Sequence, residues 1–334
     1  MASPLAARGP LVAIVAAGDR LVAVGQRGHV VFSDDGGTHW KQGKVPVSVD
    51  LTSVYFATPK RGWAVGHDGV VLTSADGGES WTKQLDGRAL GRLIVDRYGE
   101  NARKPGASEA AFTLHDETKR QFGGEPQTPF LDVWFDNEND GYVVGAFNLI
   151  LKTADGGRSW EPWLDRIDNP RFLHLYAIRR QGEAYYIAGE GGMLWKLGRD
   201  ASGRPRPHFA RLTTPYQGSF FGLVGSGQSL YVFGLRGNLF RTDDGGTHWQ
   251  KIETGVRASL VGATVQRDGR LLLAVQSGQI LVGEDGNSRF AVRQPGNPMS
   301  LAGVAEDSRE RVVAVGNHGA RGLGLQLLSR PQSQ

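Results

Sequence analysis

The chain has no cysteine among its 334 residues. That removes disulfides, thiolate metal sites and cysteine nucleophiles together. It also lacks any apolar run near the ~18 residues of a transmembrane helix. The early stretch Leu11–Ala17 is apolar, but no basic region stands ahead of it as in a signal peptide, so it reads as a strand. No HExxH pair occurs among the eight histidines. Nor is one sign of charge in large excess: the net charge of +4 is too small to imply nucleic acid without a clear basic patch. What the chain has in abundance is glycine, 48 residues. Each interior glycine costs a helix ~1 kcal/mol against alanine, so this composition suits an all-β chain that turns often.

Those turns repeat. SDDGGTHW begins at Ser33, SADGGESW at Ser74, TADGGRSW at Thr153 and TDDGGTHW at Thr242, with a worn copy, GEDGNSRF, at Gly283. An apolar run precedes each copy and usually ends in glycine, as in LVAVG at 21–25, GWAVG at 62–66 and GYVVG at 141–145. Seven such runs end at Gly25, Gly66, Gly145, Gly189, Gly234, Val275 and Gly316. The common spacing is ~40–45 residues, the size of a four-stranded propeller blade. One interval is nearly double, which marks an insertion. The expected fold is a seven-bladed β-propeller in one domain, 1–334. Residues near Ser3–Ala7 are expected to supply a strand that closes the ring.

Within the octet the aspartate can accept backbone N–H bonds of its own turn, the glycines permit the reversal, and the tryptophan can fold between sheets. Asp35, Asp76, Asp155 and Asp244 with Trp40, Trp81, Trp160 and Trp249 are therefore read as structural. In a four-stranded blade the b–c and d–a connections share one face, and the a–b and c–d turns share the other. The octets are c–d turns. The insertion at 86–128 is a d–a connection and shares its face with the b–c tips. Two segments of it have helical periodicity, one with Leu90, Leu93 and Ile94 on a face and one with Phe112 and Leu114 on another. Binding is expected on that tip-and-insertion face, at Arg27, His67, Asp68, Asn148, Glu190, Arg236 and His318 on the tips and Arg88, Arg92 and Arg97 in the insertion. His39 and His248 lie inside octets and are set aside. DNENDG at 136–141 resembles the opening of a calcium loop, but Phe147 stands where the loop needs glutamate, and a turn is the better reading. Segment 166–211 is rich in Lys and Arg, which fits a solvated loop or, alternatively, an acidic partner or anionic membrane surface.

The [ST]-x-D-x-G-x-x-W octets, recurring in register, resemble the Asp box or bacterial neuraminidase repeat. Paired with the V-x-V-G run in each blade, they are similar to the photosystem II assembly/stability factor family. The resemblance runs from Leu11 to about Leu328 and fails in blade 4, which has no octet, and in the worn blade 6. It implies a non-enzymatic, periplasmic or otherwise extracytoplasmic scaffold, a monomer, that assists a membrane-associated protein complex. Under it no catalytic residue, metal or cofactor is expected, and no nucleic-acid partner. The alternative is a sialidase-like or glycan-binding propeller, but the Arg-Ile-Pro element of sialidases is absent near the start.

Overall fold

Among the described residues seven antiparallel sheets form in chain order, six of four strands and the last of three. The structure, a computed structural model, describes residues 5–124, 127–198, 207–284, 286–296 and 298–324. The first strand of each sheet (a) faces the axis: Leu11–Ala17, Leu51–Phe56, Phe130–Phe135, Leu175–Gln181, Phe220–Ser226, Leu260–Val265 and Leu301–Glu306. These seven are neighbours in a closed cycle, the last packing against the first. The seven-bladed propeller is therefore as expected. The b strands are sandwiched between adjacent blades, so Gly62–Gly66, Gly141–Gly145 and Leu271–Val275 are buried at every residue. Burial on both faces is why they read as unbroken apolar runs rather than alternating ones.

Every inner strand begins with a β-bulge. The pairing skips the second residue, as between Leu11 and Ala13, Leu51 and Ser53, or Leu175 and Ala177. The bulge carries the carbonyl of the residue before the strand against the end of strand b. A Cβ on Gly25, Gly66 or Gly316 would lie 2.2, 2.2 or 2.0 Å from Pro10 O, Asp50 O or Ser300 O. The final glycine of V-x-V-G therefore answers to close approach rather than to its dihedral angles, and blade 6, with Val275 in that place, is the exception. The next N–H donates to the same carbonyl, as from Gln26 to Pro10 (3.3 Å), His67 to Asp50 (2.9 Å) and Glu190 to His174 (3.0 Å).

The octets sit on the opposite rim. In all four the leading hydroxyl (Ser33, Ser74, Thr153, Thr242) accepts the second glycine's N–H at 2.9 Å. It also donates to the box aspartate at 2.8–2.9 Å. Asp35, Asp76, Asp155 and Asp244 each accept the N–H four residues on, at 2.8–3.0 Å. Trp81 and Trp160 are buried against the preceding blade. Trp40 and Trp249 occupy the same gap half-buried. Blade 4 has no octet, yet Phe209 fills the gap, fully buried. Its N–H donates to Arg166 O at 2.8 Å, as that of Trp81 donates to Lys44 O at 2.9 Å. In blade 6 the worn copy is a tight hairpin in which Asn287, at φ 63°, bonds Leu271 N and Gly269 O.

The N-terminal closure takes a different form from the one expected. Ala6–Arg8 is a 3-10 turn rather than a strand, closed by Arg8 and Gly9 N–H groups donating to Leu5 O at 2.9 and 3.0 Å; Ser3 and Pro4 lie outside the described residues. The turn occupies the place of a d–a connector. Ala7 O stands 2.0 Å from a Cβ built on Gly319, as Val47 O and Val256 O do from Gly28 and Gly237 at 2.3 and 2.2 Å. Ala6 packs with Ala23 and Val31 of blade 1 and Val315 of blade 7.

The insertion is a helical hairpin, α1 (Gly87–Ala102) and α2 (Glu109–Phe122), N-capped by Asp86 and Ser108. Leu90 and Ile94 are buried and join Tyr98 and Phe122 in the core between blades 2 and 3, with Leu93 and Leu114 packed at its edge. Phe112 does not share a face with Leu114 and is 51% exposed. Two residues span ~200° of a helix, so only one of the pair can turn inward.

Candidate functional site

The b–c tips, the d–a connectors and the helical hairpin form one rim. Gly69 N, in the tip of blade 2, donates to Thr128 O at the hairpin's return, at 3.2 Å. Gln121 Nε2 at the end of α2 donates to Phe147 O in the tip of blade 3, at 3.5 Å. Each tip holds a left-handed residue, Arg27 at φ 55°, Asp68 at 55°, Phe147 at 53° and Arg236 at 58° among them.

Of the tip residues expected to bind, Arg27, His67, Arg236 and His318 are exposed, and Asp68 and Glu190 are half-buried. Arg27 is set by its own N–H donating to Asp50 Oδ1 at 2.8 Å. Asn148 differs: it is 2% exposed, donates from Nδ2 to Leu164 O at 3.0 Å and accepts from Asn169 Nδ2 at 2.9 Å. It stands where the other tips have glycine, so its side chain turns inward and Phe147 takes the outward position. In the hairpin Arg88 and Arg92 are exposed. Arg88 lines a shallow cavity with Asp68, Lys83 and Asp86. Arg97 faces Glu161 of blade 3 at 3.7 Å, away from the tips.

A second set was not foreseen. Phe147 is 48% exposed. Its ring meets His174 edge-on at 4.6 Å; His174 meets Tyr176 at 6.0 Å, and Tyr176 meets Phe221 at 5.5 Å, all near perpendicular. Tyr176 and Phe221 line the mouth of the axial channel. Burial, and then the Glu190 carboxylate, push the Tyr176 phenol up. Phe147 N donates a hydrogen bond to His174 Nδ1 at 3.1 Å, and Glu190 Oε2 accepts from His174 N at 3.3 Å. An apolar residue at a hairpin tip was the available sign for Phe147; nothing in the sequence marked the others.

Deeper in the channel Asp132 is buried, accepting from Ser53 Oγ at 2.8 Å and Ile178 N at 2.9 Å and pairing with Arg179. This ties the inner strands of blades 2, 3 and 4. DNENDG is the a–b turn of blade 3, with Asp136 N donating to Asp140 O at 2.9 Å. In the basic segment Arg166 pairs with Glu161 and Arg180 with Asp136; residues 199–206 lie outside the described residues. His39 and His248 are exposed beside their box aspartates at 2.6 Å. Among the described residues no helix is long and apolar enough to cross a membrane.

A family model for the photosynthesis system II assembly factor YCF48 matches residues 13–93 and 120–204. Most of the helical hairpin falls between the matched segments. The photosystem II assembly lipoprotein Ycf48 of Synechococcus sp. (strain CC9902) is 30% identical over 128 residues, 38% of this chain and 37% of its own length. The match therefore covers well under half of that relative. A solved structure of YCF48 bound to D1 peptide superposes with a TM-score of 0.65 at 15% identity, covering 96% of this chain and 94% of that one. YCF48 from Cyanidioschyzon merolae gives 0.62 at 16% identity, covering 96% of each. At those identities the likeness is one of fold.

Proposed function

We propose that this chain, an Asp-box propeller similar to the photosystem II assembly factor family, is a non-enzymatic protein-binding scaffold that assists assembly or stability of a membrane-associated complex. The family-model match over 13–93 and 120–204 carries this reading. The solved relative titled as bound to D1 peptide supports a polypeptide as the partner. The relative named a lipoprotein supports a place outside the cytoplasm, at a membrane surface.

Rim geometry supports the side of docking. On the octet rim the box aspartates are engaged by their own turns. On the tip rim Arg27, Arg236 and His318 project without such ties. Exposed cations of this kind steer a partner of opposite charge and raise its association rate.

Affinity recovery of partners from detergent-solubilised membranes tests the proposal. Arg27→Glu/Arg236→Glu should lower recovery at least ~10-fold, about 1.4 kcal/mol, while Lys41→Glu below the octet rim leaves it unchanged. Equal recovery by all three forms would remove the tip rim as the docking side. Turnover of a fluorogenic sialoside by the wild type would replace the scaffold reading with an enzymatic one.

A further inference from the structure

A seven-fold pseudo-repeat supplies six internal controls for every position. The bulged second residue of each inner strand lines the channel mouth: Val12, Thr52, Leu131, Val261 and Ala302 in five blades, but Tyr176 and Phe221 in the adjacent blades 4 and 5. A bulge re-aims one side chain, and here it aims two aromatic rings where the repeat otherwise places small or aliphatic groups. At the outward tip position, Phe147 in blade 3 replaces the polar or glycine residue of the other blades. At the first tip position, Glu190 of blade 4 is an acid, where the other blades carry Gln26, His67, Ala146, Leu235, Gln276 and Asn317. All four departures fall in one sector.

Packing joins them. Glu190 is 42% exposed at its side chain and lies 3.9 Å from His174 Nδ1. That nitrogen accepts the Phe147 N–H, and 3.9 Å is too long for a hydrogen bond to the carboxylate. Among the described residues no Lys or Arg stands within ion-pair distance of Glu190. The exposed Arg171 stands at the same tip, its Nη2 3.8 Å from a Cβ built on Gly191. The rim there presents a carboxylate with no cation within ion-pair distance, beside aromatic rings. A guanidinium or ammonium satisfies both, by charge with the first and by cation–π attraction to the second.

We infer that the sector of blades 3 to 5 captures a basic side chain, Arg or Lys, of a polypeptide lying across the channel mouth. The aromatic row has three centroid steps of about 5 Å, the reach of roughly five residues of extended chain at ~3.3 Å each. The exposed cations Arg27 and His318 lie on other blades and Arg236 on the tip of blade 5; all would repel the same side chain, which leaves the side of the sector nearer blades 3 and 4 for docking. This inference rests on the scaffold reading and specifies the partner's chemistry.

The probe is acetyl-Gly-Ser-Arg-Ser-Gly-amide, titrated by NMR into the full chain against the same peptide with citrulline, the neutral isostere of arginine. We expect saturable shifts confined to Phe147, His174–Tyr176, Glu190 and Phe221, with citrulline at least ~5-fold weaker. Glu190→Gln should abolish that preference without changing the melting temperature, and Phe221→Val should weaken both peptides. Equal binding of the two peptides, a preference that survives Glu190→Gln, shifts elsewhere on the ring, or no shift at ~50 mM peptide would each overturn the inference. A glycan that shifts the same residues in place of the peptide would do so too. Membrane recovery is read separately: loss of the arginine preference with recovery intact defeats this inference alone, and the converse defeats the scaffold reading.

Discussion

The rim of c–d turns and the rim of b–c tips come from the same seven units. On the first, four turns repeat the same bonds to within about 0.2 Å, and blade 4, lacking the motif, still fills the gap with Phe209. On the second, the backbone repeats but the side chains do not: the outward positions run Arg27, Asp68, Phe147, Gly191, Arg236, Ser277 and His318. Constancy on one rim reflects a demand every blade shares, to seal against its neighbour. The other rim owes the fold only its backbone, and its side chains are free to differ.

Substitutions should separate the rims, and the largest effect belongs to the seal. Trp81→Ala removes a buried ring between blades 1 and 2 and should cost about 3–5 kcal/mol, read by denaturant unfolding. Trp249→Ala, in the same motif but half-buried, should cost about 1–2 kcal/mol. Equal losses would show that the motif stabilises through its turn rather than through burial.

A smaller effect appears in acid. The Ser159 hydroxyl and N–H hold the Asp155 carboxyl down to about 2 from its ordinary 3.8. A depressed carboxyl stabilises the fold fully above its unfolded value and loses that contribution as pH falls through its folded one. The stability gap between wild type and Asp155→Asn should therefore narrow between pH ~4 and ~2. A gap unchanged over that range would mean that the turn does not depend on the charge.

The smallest effect should lie on the tips. Replacing Arg27, His67, Arg236 and His318 singly by Ser should change stability by no more than ~0.5 kcal/mol each. A larger loss at any of them would erase the contrast between the rims.

Much of this was legible in the sequence because it repeats. The spacing of V-x-V-G runs gave the blades, the octets gave the c–d turns, and the double interval located α1 and α2. What stayed hidden follows from local geometry. Strand parity tells which residues share a face, but a bulge shifts parity by one residue and has no fixed sequence sign. Tyr176 and Phe221 therefore read as ordinary strand residues until the register between Leu175 and Ala177, and between Phe220 and Gly222, was in view. Asn148 misled for a related reason. It stands at a glycine position with φ 65°, and asparagine tolerates that conformation while turning its amide inward. Phe209 carried no motif because its task needs only an apolar ring in the right gap.

The turn at Ala6–Arg8 bears on where the chain can start. Ala7 meets Gly319 as Val47 meets Gly28 and Val256 meets Gly237, so the junction between blades 7 and 1 is one more connector that happens to be cut. A ring whose cut is equivalent to its other junctions has no privileged first blade. The order of blades around the axis, rather than their order from the N-terminus, is what the architecture specifies. A circular permutant opened in the connector 213–218 keeps that order and gives up only what the connector itself holds, such as Thr214 Oγ1 donating to Gly192 O and Tyr216 OH donating to Leu235 O.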